Sequence, residues 1–155
     1  MMTAALAGKW SDTNADIVVE QVVVQSRTEV FEALSDLGRV KAAAPQSCME
    51  EWALGVPSAG VGAKAIVTYH MGMMRRRLTL NVVRAEQEQV VTWDHPEKKG
   101  FTTQIVLSDE DGGGTRVKLG TYINAPPWPF KPYYFNRVQP EWAACYEGLL
   151  NNLGG

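Results

Sequence analysis

Between Gln46 and Asn124 turn residues recur at short, regular intervals: Gly55 and Pro57, Gly60 and Gly62, Gly72, Pro96 to Gly100, and Asp109 to Gly114. The gaps hold runs that suit a pleated surface, among them Ala63 to Met71, Arg77 to Ala85, Gln89 to Asp94, Phe101 to Leu107 and Thr115 to Ile123. No run of helical periodicity separates them. Strands joined by short turns pair antiparallel, because parallel neighbours need a crossover of a dozen or more residues. This part of the chain therefore reads as an antiparallel meander, and with the first strand it gives a sheet of six or seven strands.

That sheet has one dry face. Val117, Leu119, Thr121 and Ile123 alternate with Arg116 and Lys118, and Leu78, Leu80 and Val82 alternate with Arg77, Thr79 and Asn81. A dry face needs a cover. Trp142, Cys145, Tyr146, Leu149, Leu150 and Leu153 recur at steps of three and four and form the apolar stripe of one long C-terminal helix. Pro126, Pro127, Pro129 and Pro132 lead into it, and Pro140, which lacks an amide donor, predicts a kink or a fresh start near Gln139.

Ahead of the meander, Asp16 to Gln25 carries the β-branched run Ile17, Val18, Val19, Val22, Val23 and Val24, which predicts the first strand. Ser26 and Glu29 then stand at capping-box spacing, with Val30, Phe31 and Leu34 following at helical intervals. Gly38 and Pro45 bracket the end of this helix and a second short one. The fold class is thus α+β. Residues 1–15 read as an N-terminal leader and 16–155 as a single domain.

The order strand, capped helix, short helix, long meander and amphipathic C-terminal helix resembles the helix-grip superfamily, which unites START domains, birch-pollen-type allergens, polyketide aromatases and cyclases, and homologues of the heat-shock-protein ATPase activator. The residues that carry the resemblance are V-V-V-Q-S-R-T-E-V-F-E-A-L-S-D ending at Asp36, G-G-G-T-R-V-K-L from Gly112 to Leu119, and the W-A-A-C-Y-E-G-L-L-N-N-L close. It spans Asp16 to Leu153 and implies a cavity between helix and sheet for a hydrophobic or amphipathic small molecule. No member's catalytic set matches this chain residue by residue, and one fold hosts many functions.

The candidate site residues follow from strand parity and aromatic character. Glu20 shares parity with Val18, Val22 and Val24; if that set faces inward, a carboxylate enters the cavity, where burial would raise its pKa into the range of a general acid or base. If Val19 and Val23 are the buried set, Glu20 is solvated. Tyr69 and Met71 share parity with Ala65 and Val67, which sends His70 and Thr68 to the wet face. Trp93, Tyr122, Tyr134, Trp142 and Tyr146 offer aromatic surface with polar tips, and Asn124 closes the last strand at the expected mouth. His95, between Asp94 and Pro96 at a strand end, reads as a turn histidine with a weaker claim on the cavity.

Other chemistries find little support. Arg75, Arg76 and Arg77 are adjacent strand residues pointing to opposite faces, so they make no continuous basic patch. Gly112 to Gly114 has no following Lys-Ser/Thr and no helix, and reads as a hairpin turn. No nucleophile elbow, dinucleotide fingerprint or metal-ligand spacing occurs, so neither cofactor nor metal is expected. Fifteen Lys and Arg against seventeen Asp and Glu leave a net charge of -2, which argues against a nucleic-acid partner. No run approaches the length of a spanning helix, so no membrane insertion is expected. Cys48 and Cys145, far apart in sequence, read as reduced thiols of a cytoplasmic protein, although a single bridge between them stays open.

Three functions fit this reading. The first is a hydrophobic small-molecule binder related to polyketide cyclases, able to cyclise or dehydrate if Glu20 faces inward near a tyrosine. The second is a non-catalytic carrier or sensor, favoured by an outward Glu20. The third is a chaperone-activator-like interaction module, favoured by a filled interior. A homodimer is left open.

Overall fold

The computed structural model describes residues 17–98, 101–122, 132 and 134–153, the side chains of 134 and 135 excepted. The chain runs β1 (Ile17–Val23), α1 (Arg27–Ser35), α2 (Leu37–Ala43), β2 (Met49–Leu54), β3 (Lys64–Met71), β4 (Met74–Glu86), β5 (Val90–Asp94), β6 (Thr102–Asp109), β7 (Thr115–Tyr122) and, after a π-helical turn at Tyr134–Val138, α3 (Gln139–Asn152). All the strands join one seven-stranded sheet in the order β1-β7-β6-β5-β4-β3-β2, with every pairing antiparallel. The meander is therefore continuous. The two sheet edges are β1 and β2, and α1 with α2 carries the chain from one edge to the other.

Local chemistry explains both helices. The Ser26 hydroxyl accepts from the Glu29 amide while the Glu29 carboxylate accepts from the Ser26 amide, which completes the predicted capping box. The break between helices falls at Asp36, two residues before Gly38. Asp36 ends α1 with extended backbone, and its carboxylate accepts from the amides of Gly38, at 2.9 Å, and Arg39, at 3.4 Å, to start α2.

The faces are those the alternation predicts. Leu78, Leu80 and Val82 of β4 and Val117, Leu119 and Thr121 of β7 are buried on the inner face. Against them α3 lays Trp142, Cys145, Tyr146, Leu149 and Leu150, each large side chain contributing roughly 1.5–3 kcal/mol on leaving water. The helix makes its fresh start at Gln139, and Pro140 sits in its first turn, where a missing amide costs no hydrogen bond. At Gly114 the backbone φ is +84° and an added Cβ would lie 2.4 Å from the Val23 carbonyl oxygen, so only glycine lets the β6–β7 hairpin pass the end of β1.

One expectation is overturned. Cys48 and Cys145 are joined by a disulfide across 97 residues of sequence, not held as separate thiols. Cys48 lies in the turn before β2 and not within a strand, where the edge of the sheet curls up to meet α3. The bridge removes the cysteine argument for a cytoplasmic chain. Among the described residues no helix is long and apolar enough to cross a membrane.

Candidate functional site

The inner face of the sheet and the first half of α3 enclose a run of aromatic rings. Tyr69 on β3 meets Trp142 of α3 at 4.9 Å between ring centroids, Trp142 stacks on Tyr146 at 5.5 Å, and Phe101 meets the other edge of Trp142 at 5.5 Å. His95 stacks on Phe101 at 4.2 Å. The Tyr69 hydroxyl lies 2.8 Å from His95 Nε2. Deeper in, the Thr103 hydroxyl bonds that of Thr121 at 2.8 Å and reaches the Tyr146 hydroxyl at 3.3 Å, so each buried phenol has a polar partner.

These groups are held neutral. Burial pushes the Tyr69 phenol well above its ordinary value of 10, helped by nearby Tyr146 and Glu97. Burial likewise raises Tyr146, against the lowering effect of its threonine bonds. The His95 imidazole is brought down to about 4, because burial outweighs the Phe101 carbonyl and the Glu97 carboxylate, which favour its charged form. Its Nδ1 is buried and makes no well-formed hydrogen bond among the described residues. In the tautomer with its proton on Nδ1, Nε2 accepts from the Tyr69 hydroxyl; in the other, Nε2 donates to it.

Tyr69, Phe101 and Trp142 open onto a surface depression whose other walls are Met71, Met74, Arg76, Leu78, Lys98 and Val138. Counted with its open mouth it holds about 400 Å³, of which about 30 Å³ admits the centre of a water molecule. Among the described residues, aromatic side chains occupy the space between helix and sheet at this end. A larger polar depression, about 820 Å³ counted in the same way, with Glu29, Arg39 and Asn152 among its walls, lies at the other end of α3 against α1 and α2.

The structure separates the candidates named from sequence. Tyr69, Met71, Trp142 and Tyr146 come together as expected. His95, expected as a turn residue, is 1% exposed and belongs with them. Trp93 is buried too, but its indole donates to the Leu34 carbonyl at 3.0 Å and packs the sheet onto α1. Glu20 points the other way. Its parity set is the outer one: Ile17, Val19 and Val23 are buried, Val24 is 89% exposed, and the Glu20 carboxylate meets Arg116 at 2.7 Å on the outer face. Tyr122 follows the inward Thr121 and falls half-buried on the outer side near Lys118. Asn124 and the Tyr134 side chain lie outside the described residues.

Phe101 and Lys98 were not singled out from sequence, and Arg76 was considered only within a basic triplet that makes no continuous patch. Arg76 was legible, since it shares parity with Leu78 and so faces inward from between Arg75 and Arg77. Lys98 was not, because loop geometry places it. Among the described residues no cluster of histidine, cysteine or carboxylate groups has the makings of a metal site.

An aromatic pocket between an antiparallel sheet and the helix it grips defines the class: this is a helix-grip domain. Solved structures agree on the fold. The KanY protein is similar over 88% of this chain and 92% of its own, with a TM-score of 0.73 and 17% identity. TTHA0849 from Thermus thermophilus shares the same coverage, with a TM-score of 0.70 and 20% identity. Major latex-like protein 151 of Panax ginseng matches 88% of this chain and 96% of its own, with a TM-score of 0.58 and 16% identity. No protein-family model and no curated protein matches the sequence.

Proposed function

We propose that the protein binds a hydrophobic or amphipathic small molecule in the pocket bounded by Tyr69, Phe101 and Trp142. The observation that carries this reading is the hydrogen-bonded Tyr69–His95 pair behind an aromatic wall that opens to the surface. Ring surfaces with a few polar groups at the base are what such sites use for affinity and orientation. With its proton passed towards His95, the Tyr69 oxygen accepts a hydrogen bond from a ligand hydroxyl or N–H. Occupancy requires the flexible Met71 and Met74 and the Trp142 indole to give way, since the free space is small.

Binding is favoured over the cyclisation or dehydration of a polyketide-like substrate. An imidazole with its pKa near 4 is a weak base at neutral pH, and a phenol held well above 10 is a poor acid. The outward Glu20 removes the carboxylate on which the catalytic reading relied. A carrier or sensor is therefore the better fit.

Native mass spectrometry of the purified protein, with denaturing extraction of whatever co-purifies, tests the reading. The expected result is a retained small molecule that quenches Trp142 fluorescence when added back. A second reading, an interaction module acting through its surface, draws on the aromatic side chains that occupy this space. An apo mass together with no Trp142 response to any apolar aromatic probe would decide for it.

A further inference from the structure

Arg76 and Lys98 share the mouth of the aromatic pocket. Arg76 stands directly across from Tyr69 in the β3–β4 ladder, which puts it on the pocket side of the sheet. Its two neighbours face outward and are engaged there. Arg75 meets Glu50 at 2.8 Å and Glu51 at 3.7 Å, and Arg77 donates to the Thr68 hydroxyl at 3.4 Å. Lys98 enters from the β5–β6 loop, its Nζ 5.8 Å from the centre of the Phe101 ring.

Nothing described neutralises this pair. The nearest acid in sequence, Glu97, is turned to the outer face, where it accepts from both the amide and the hydroxyl of Thr79. Among the described residues neither Arg76 nor Lys98 forms an ion pair, whereas Arg27, Arg75, Arg84, Arg116 and Arg137 all do. Burial and the nearby Arg76 both lower the Lys98 ammonium below its ordinary value. Two like charges facing each other beside apolar walls repel, and an anion between them would relieve both.

We propose that Arg76 and Lys98 are the receptor for the acid group of the ligand, a carboxylate or sulfonate carried on an aromatic amphiphile whose rings lie over Phe101 and Trp142. This deepens the ligand-binding reading and rests on it. A guanidinium grips such a group through paired N–H donors, and the ammonium adds a point charge from the opposite wall. The alternative anion is a phospholipid surface, since Met73 at the adjoining hairpin tip is 85% exposed. The half-burial of Lys98 against the Phe101 ring favours the small molecule, because a membrane-facing lysine would extend away from the pocket.

The test uses two fluorescent probes with the same ring system, anionic 8-anilinonaphthalene-1-sulfonate and uncharged N-phenyl-1-naphthylamine. The wild-type protein is expected to bind the anionic probe about tenfold more tightly. The double variant R76Q/K98Q is expected to lose that preference while holding the uncharged probe within about twofold of wild type. Arg75→Gln removes one unit of charge outside the pocket, as Lys98→Gln does within it, and is expected to leave the preference intact; the two single variants are compared if the double variant does not fold. Equal affinities for both probes, unmoved by the variants, would overturn the acid receptor and leave the pocket standing. Binding of neither probe would overturn the pocket itself. Co-sedimentation with phosphatidylglycerol vesicles that the double variant loses, without any probe preference, would reassign the two cations to a membrane surface.

Discussion

The Tyr69 hydroxyl and His95 Nε2, 26 residues apart in sequence, are 2.8 Å apart in a region from which water is excluded. That contact couples the end of β3 to the β5–β6 loop through one hydrogen bond.

His95 is expected to be the main source of acid sensitivity. Its folded value of about 4 lies below the ordinary 6.5, so the unfolded chain takes up the proton first, and stability falls as pH drops from about 6.5 towards 4 and levels off beneath that. The full effect is about 3 kcal/mol. Urea titrations across this range would show it, and His95→Gln, which keeps a hydrogen-bonding group without an ordinary titration, should flatten the profile.

Tyr69→Phe deletes the hydroxyl bonded to His95 while preserving ring packing against Trp142. The buried imidazole nitrogen then lacks a partner, and the expected loss is about 1–3 kcal/mol of stability. Chemical denaturation measures it. In ligand binding the same variant should weaken compounds with a hydroxyl or N–H donor more than their fully apolar counterparts, measured by paired titrations.

Reduction of Cys48–Cys145 frees a loop spanning 97 residues, which in the chain-entropy account lowers stability by about 5 kcal/mol. The double variant C48A/C145A should match the reduced protein in its denaturation midpoint, and neither should respond further to reductant.

Glu20→Gln is expected to leave both probe binding and the denaturation midpoint unchanged. The carboxylate sits in water with its side chain 42% exposed, and Arg116 keeps its second partner, Glu110, at 2.8 Å. A loss of ligand affinity in this variant would return Glu20 to the pocket. Isothermal titration with whichever ligand the protein retains measures it.

Much of this architecture was legible in the chain. Turn residues marked the meander, Ser26 and Glu29 marked the first helix, and the stripe from Trp142 to Leu150 marked the cover, because each of these is a local pattern with one stable solution. The parity of β1 left two answers open, since valines occupy both faces of that strand and only pairing with β7 decides which set is buried. His95 and Lys98 were hidden for a different reason. They lie past the end of β5, where alternation no longer fixes direction and the path of the loop does. The disulfide joins a turn to a helix across most of the fold, and no short-range signal announces it.

Helix α3 is fastened to more than one part of the fold. At the β1 edge the Gln21 side chain donates to Asn151 near the end of α3, while Asn152 next to it donates to the Ala43 carbonyl at the end of α2, at 3.1 Å. At the opposite edge the covalent bond from Cys48 to Cys145 takes hold of the middle of the same helix. Helix α3 is thus strung between the two margins like the cord of a bow. Cutting the Cys48–Cys145 bond would remove the one covalent hold between the β2 margin and that helix, so this fastening rests on the oxidation state of two sulfur atoms.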